Sequence, residues 1–258
     1  MTVMLSSLQA LNPELHATWR LVPFNYAFAR EVQACPATLG EFRALCRHMP
    51  LLFVDRGQGM EPCALLGLRP QENLLVGPAG EWLVENVPMH FRRYPFSLLE
   101  DAQHRMIMGL DPEAACLEHE GSAGIPLFAD DGRTPSEAIA GVFASLVDYQ
   151  NDWLRTRELC AALVDLGLLV PRQLEVSVRG DNYKVPGFFV VDESRLTQPA
   201  DVLANWRAKG WLSAIEAHLI SLDAMRDLGL ALEKRVAETQ GNADAVTEGA
   251  GYSSNALH

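Results

Sequence analysis

The stretch TPSEAIAGVFASLVDYQNDWLRTRELCAALVDLG, residues 134–167, decides the architecture. Ile139, Phe143, Leu146, Trp153, Cys160 and Val164 recur at steps of three, four or seven, the spacing of one helical face. Thr134-Pro-Ser-Glu137 reads as a capping box, with Thr as N-cap, Pro at the first helical position and Glu at the third. Gly167, followed by Pro171, marks the stop. A helix of about 30 residues, about 45 Å long at 1.5 Å per residue, is therefore expected.

On either side of this helix the pattern changes to short strands and turns. Leu51-Leu-Phe-Val54 and Ala64-Leu-Leu-Gly-Leu68 flank Arg56-Gly-Gln-Gly59, a hairpin signal. Leu74-Leu-Val76, the Gly77-Pro-Ala-Gly80 turn and Glu81-Trp-Leu-Val84 repeat it, and His104 to Leu110 supply one more strand. Before the first hairpin, Thr38-Leu-Gly-Glu41 fits a capping box opening a short helix that stops near Pro50. Beyond the long helix, Leu174 to Val178 and Tyr183 to Val191 surround Arg179-Gly-Asp-Asn182, and Pro186 demotes the second strand toward an edge or a bulge. A short helix carries Val202, Leu203 and Trp206; a last one from Trp211 sets Ile215, His218, Leu222 and Met225 on one face.

The expected fold is α+β: short antiparallel strands and hairpins packed against a long central helix and C-terminal helices. It forms one domain over residues 1–238, strand-rich through 133 and helix-rich from 134. Residues 239–258, small and polar, read as a flexible tail.

Composition narrows the function classes. The chain has 258 residues, 48% hydrophobic and 21% charged, with a net charge of −12. That surplus of acid argues against nucleic acid or an anionic membrane as partner, because both demand a positive footprint. Five widely spaced cysteines without a C-x-x-C pair suit reduced thiols. The first twelve residues carry no Lys or Arg, and no apolar run reaches the roughly 18–20 residues that span a bilayer. A soluble, cytoplasmic, non-membrane-spanning protein is expected.

Catalytic signatures are missing from the chain: no G-x-S-x-G elbow, no Walker loop and no dinucleotide fingerprint. Neither a metal nor a cofactor is expected. Glu118-His119-Glu120 is the densest set of potential ligands, but neither strand nor helix geometry turns all three toward one ion, so a solvated acidic loop is the favoured reading. Two groups of residues stand out. Pro88-Met-His-Phe-Arg-Arg-Tyr-Pro-Phe96 concentrates His90, Arg92, Arg93 and Tyr94 in an acidic chain, and an arginine fork beside aromatic rings can grip a carboxylate or phosphate. Gln150 and Arg157 flank Trp153 on the long helix, and His218 sits between Ile215 and Leu222 on the last; these polar groups on apolar faces are candidates to line an internal pocket. The alternative for each is ordinary packing and pairing within the core.

In order along the chain, several segments together resemble the SapC-like family of bacterial proteins. They include Tyr26-Ala-Phe-Ala-Arg30, His48-Met-Pro-Leu-Leu-Phe-Val54, Arg92-Arg-Tyr-Pro-Phe96, Pro126-Leu-Phe128, Leu166-Gly-Leu-Leu-Val170, Gly187-Phe-Phe-Val-Val-Asp192 and Gly210-Trp-Leu212. The resemblance runs from about Leu21 to Leu230, and the chain departs from it around Ser122-Ala-Gly124. It implies a link to bacterial surface layers and to gene neighbourhoods with TonB-dependent receptors, but no catalytic residues. The same label also covers a peptide-transporter permease, which a chain with no membrane-spanning run does not match. A binding or accessory protein for an anionic small molecule or an unknown protein partner is expected. The alternative is an enzyme acting on a peptide or small metabolite with His90, His218 or Glu120 as acid–base groups. Oligomeric state is not legible, since a core seam and an interface seam look alike.

Overall fold

The computed structural model describes residues 7–250, with side chains through Thr239 except that of Pro186. In its first half run β1 (Gln9–Ala10), α1 (Pro13–His16), β2 (Arg20–Leu21), β3 (Ala34–Pro36), α2 (Phe42–Leu45), β4 (Leu51–Asp55) and β5 (Met60–Leu65). A helical turn, α3 (Met89–Arg92), precedes β6 (Phe96–Glu100), β7 (Met106–Leu110), β8 (Leu117–Glu118) and β9 (Ile125–Pro126). The long helix α4 (Glu137–Asp165) leads into β10 (Leu169–Val178) and β11 (Asp181–Val191). Then come α5 (Ala200–Ala208), α6 (Trp211–Ser221) and α7 (Ala224–Ala250). The fold is α+β, as the periodicities imply.

Among the described residues the strands form three antiparallel sheets, ordered β10-β11-β4-β5-β3, β1-β7-β6 and β8-β2-β9. The five-stranded sheet covers the larger core. Leu51, Leu52 and Phe53 of β4 pack there with Leu159 and Leu163 of α4, Ile215 of α6 and Leu228 of α7. A smaller core gathers Phe96, Met108, Leu110, Leu127 and Phe128 around Ile139 and Leu146 of α4. One helix thus serves two cores, its first half on one and its last turns on the other. At 29 residues it spans about 44 Å.

Local chemistry explains where the elements stop. Gly167 (φ +62°) ends α4: its N–H reaches Val164 O and that of Leu168 reaches Leu163 O, the paired bonds of a Schellman turn. The start lies two residues later than the Thr134 box predicts. Asp131 accepts from the Thr134 hydroxyl at 2.6 Å, so Ser136 becomes the N-cap and accepts from Ile139 N. Pro186 falls at a register shift opposite Arg172/Leu174, the bulge alternative; β11 is an interior strand, paired with β4 through Phe189 and Phe53. Arg179 and Gly180, both at positive φ, turn β10 into β11.

Three other expectations are corrected. The 74–84 segment holds only the isolated bridge Val76↔Trp82 rather than a strand pair. The helix after Thr38 is shorter than predicted, ending at Leu45. The last helix is two helices, α6 ending at Ser221, whose hydroxyl donates to His218 O and accepts from Leu51 N, and α7 starting at Ala224. Helix α7 then runs through residues 239–250 of the stretch read as a tail, since extending a formed helix adds a hydrogen bond for each residue fixed. Residues 251–258 of that stretch lie outside the described residues.

Candidate functional site

The site begins with a half-buried carboxylate. Glu41 closes the capping box with Thr38, accepting from its N–H and its hydroxyl. Its other oxygen accepts the Met89 N–H at 2.5 Å, which fixes the start of α3. Burial pushes the Glu41 carboxyl above its usual range, against these hydrogen bonds and the nearby Arg92. Helix α4 grips the same loop from the other side: Asp152 accepts from Gly40 N at 2.6 Å and the Thr156 hydroxyl from Leu39 N at 2.9 Å. The α3 turn is thereby held against the middle of α4, where the two cores meet.

On a helical turn successive residues point about 100° apart, so neighbours diverge while i and i+3 stay together. His90 and Arg93 face one compartment of about 430 Å³, walled by Ser97 and Leu98 of β6 and by Leu146, Tyr149, Gln150 and Trp153 of α4. Arg92 turns to the opposite side, into a cleft of about 520 Å³ with Glu41, Asp148, Asp152 and Arg155. Tyr94 lines a third hollow with Phe24 and Phe28, stacked on the latter at 4.4 Å between centroids. The four residues of the arginine–aromatic motif therefore do not form one pocket. His90 and Arg93 do, and Gln150 joins them.

The remaining sequence candidates lie elsewhere. Arg157 is exposed on α4 and lines none of these cavities. His218 is fully buried beneath the main sheet: its Nδ1–H donates to Leu51 O at 2.7 Å, and its Nε2 accepts from Val191 N–H at 3.0 Å. Both nitrogens are occupied by backbone, so His218 is a staple joining α6, β4 and β11. Glu120 is exposed next to β8, and His119 stacks on Trp19 at 3.8 Å. His90, His218 and Glu120 share no cavity, which leaves the acid–base alternative without a common site. Among the described residues no group of three His, Cys, Asp or Glu side chains is placed to hold a metal ion.

Electrostatics make the His90 compartment unusual. Arg93 Nη1 donates to Ser97 Oγ at 2.8 Å. Its Nε is buried without a partner, and no carboxylate lies within 4 Å of the guanidinium among the described residues. Burial pulls the Arg93 pKa down, though a guanidinium keeps its charge. Burial, then Arg93 itself, pushes His90 down to about 4, so its imidazole is neutral at pH 7. Tyr149 holds its proton firmly, raised by burial and by the Glu41 carboxylate. Glu100 also lines the compartment and pairs outward with His104. The result is one fixed positive charge beside neutral donors, with the Glu100 carboxylate at the wall and Leu98, Leu146 and Trp153 completing the lining.

Reading the sequence missed Tyr149 and Ser97. A signal for Tyr149 existed: Leu146, Tyr149, Gln150 and Trp153 stand at i, i+3, i+4 and i+7, one stripe of α4. Ser97 reaches Arg93 four residues away, across the α3–β6 junction, where no helical spacing applies.

The family model for SapC matches residues 11–228, most of the chain, and the protein belongs to that family. Neither the curated proteins nor the solved structures contain a match.

Proposed function

We propose that this SapC-family protein is a cytoplasmic binding or accessory protein that holds an anionic ligand in the compartment of His90, Arg93 and Gln150. Arg93 is the observation that carries the reading. In a chain with 33 acidic residues and a net charge of −12, a half-buried guanidinium without a carboxylate partner among the described residues departs from the usual pairing of buried charge. An unmade hydrogen bond on a buried donor costs about 1–3 kcal/mol, so the arrangement gains when an acceptor arrives. The volume, about 430 Å³, suits a small molecule. Service to a TonB-dependent uptake or cell-surface system belongs to the same proposal and rests on the family resemblance.

The test compares wild-type protein with Arg93→Gln and Arg92→Ala, each purified from its own host and analysed by native mass spectrometry. An anionic small molecule retained by wild type and by Arg92→Ala, and lost from Arg93→Gln, is the expected result. Equal retention by Arg93→Gln, or retention of a cation, overturns the reading.

A further inference from the structure

We infer that the ligand of this compartment is a monocarboxylate with an apolar or aromatic body, rather than a phosphate. The inference rests on the anion-binding reading and names the chemical class it takes.

Charge comes first. Among the described residues Arg93 is the one cation that lines the compartment, and Glu100 stands at its wall with a carboxylate. A phosphate monoester brings close to two negative charges at pH 7 and calls for a cluster of cations. Here its second charge would meet Glu100 and neutral donors. A carboxylate brings one charge, which one guanidinium balances.

Geometry comes second. Of the five N–H donors on Arg93, Nη1 is engaged with Ser97 Oγ, Nε is buried and unpartnered, and Nη2 makes no hydrogen bond among the described residues. Nε and Nη2 form one edge of the planar guanidinium, two parallel N–H groups at the spacing of two carboxylate oxygens. In the inferred complex the carboxylate takes this edge of Arg93, one oxygen on Nη2 and the other on Nε. One planar anion then satisfies the orphaned donor and completes the fork. Tyr149 and Gln150 line the same compartment and carry neutral donors.

The walls give the rest of the molecule. Leu98, Met106, Leu146 and Trp153 also line the compartment and bring apolar side chains to it. Burying such surface is worth about 25 cal/mol per Å², so a bare acetate forgoes most of the available binding and a body of aryl or alkyl size collects it.

The experiment uses full-length protein at pH 7.5 and isothermal titration calorimetry. Three acids of increasing body (butyrate, 3-phenylpropionate and indole-3-propionate) are titrated beside their primary amides, together with 2-phenylethyl phosphate. The expected order is tighter binding with larger body and at least about tenfold preference for acid over amide. The acid also exceeds the phosphate ester, and Arg93→Lys loses at least about tenfold because it keeps the charge and loses the fork. A phosphate ester that binds as well as 3-phenylpropionate overturns the carboxylate assignment while leaving the anion site standing. Amides that bind like the acids, or no saturable binding by any acid or by the phosphate, overturn the inference and the anion site together. Thermal unfolding of each variant, unchanged within a few degrees, separates a lost site from a lost fold.

Discussion

Replacing His218 with Leu isolates a single buried proton equilibrium. In the native protein the Leu51 carbonyl can only accept and the Val191 amide can only donate, so the imidazole is held neutral with its proton on Nδ1. Burial lowers its pKa from 6.5 to about 4, the hydrogen bond to Leu51 opposing. In His218→Leu the ring space is largely refilled, but two buried backbone groups lose their partners at about 1–3 kcal/mol each; a loss of about 4 kcal/mol at pH 7 is expected. The pH dependence is the sharper test. Between pH 6.5 and 4 the unfolded chain binds a proton at His218 that the folded chain refuses, so wild-type stability falls as pH falls through this window. At about 1.4 kcal/mol per pH unit, acidification from pH 7 to 4.5 removes about 3 kcal/mol from wild type and nothing from the leucine variant at this site. Glu41, whose raised pKa gives the opposite slope, is present in both proteins and cancels in the difference. Urea unfolding followed by circular dichroism at pH 7, 6, 5 and 4.5 should show the gap between the two proteins narrowing to about 1 kcal/mol. A gap that stays constant would mean that His218 is not held neutral by burial, and the staple would have to be abandoned.

Three further outcomes follow from named contacts. Thr156→Val keeps the shape of a buried side chain and leaves the Leu39 amide without its 2.9 Å acceptor, so it should cost about 2 kcal/mol in urea unfolding; Thr156→Ser should cost less than half as much. Arg235 holds α7 to the 73–76 segment by donating to Asn73 O at 2.8 Å and Val76 O at 2.9 Å, so Arg235→Met should speed amide hydrogen exchange in α7 while leaving β4 and β5 protected. All five cysteines are buried, and burial pushes Cys63 and Cys160 up to about 12 and Cys116 to about 11, so a disulfide-exchange reagent at pH 8 should label native protein far more slowly than protein in 6 M guanidinium; rapid labelling of more than one thiol would contradict the packing.

The parts of the fold that sequence reveals are those whose cause is local. The hairpin that turns at Arg56–Gly59 and the stop of α4 at Gly167 each depend on a few neighbouring residues, with glycine supplying the backbone freedom, although the second strand runs over Met60–Leu65 rather than Ala64–Leu68. The errors arise where a second partner competes. Thr134 has the makings of an N-cap, yet Asp131, three residues earlier, takes its hydroxyl. Ser221 sits in a helical pattern, yet its hydroxyl serves Leu51 N, 170 positions away, and back-bonds to His218 O. A periodicity argument weighs only the apolar face and has no term for either competition.

The candidate site fails and succeeds for a related reason. Charge density in an acidic chain is legible, so the 88–96 segment stands out, but adjacency along a chain is a poor guide to convergence on a helical turn. Arg92 and Arg93 are indistinguishable by residue type and differ by about 100° of rotation. That rotation sends Arg92 out beside Glu41 and Asp148, and sends Arg93 into the other compartment, where no carboxylate lies within 4 Å of it among the described residues. The property that singles out Arg93 is a missing partner among the described residues, and a missing partner has no signature in sequence because it depends on the distance of each carboxylate in the fold, Glu100 in the same compartment included. What sequence could have supplied is the grouping: His90 with Arg93 at i and i+3 on the turn, Leu146 with Tyr149, Gln150 and Trp153 on the helix. Two stripes of that kind, one basic and one mixed aromatic and amide, define a compartment once they face each other. The capping carboxylate of Glu41 and the grip of Asp152 and Thr156 on the same loop are what make them face.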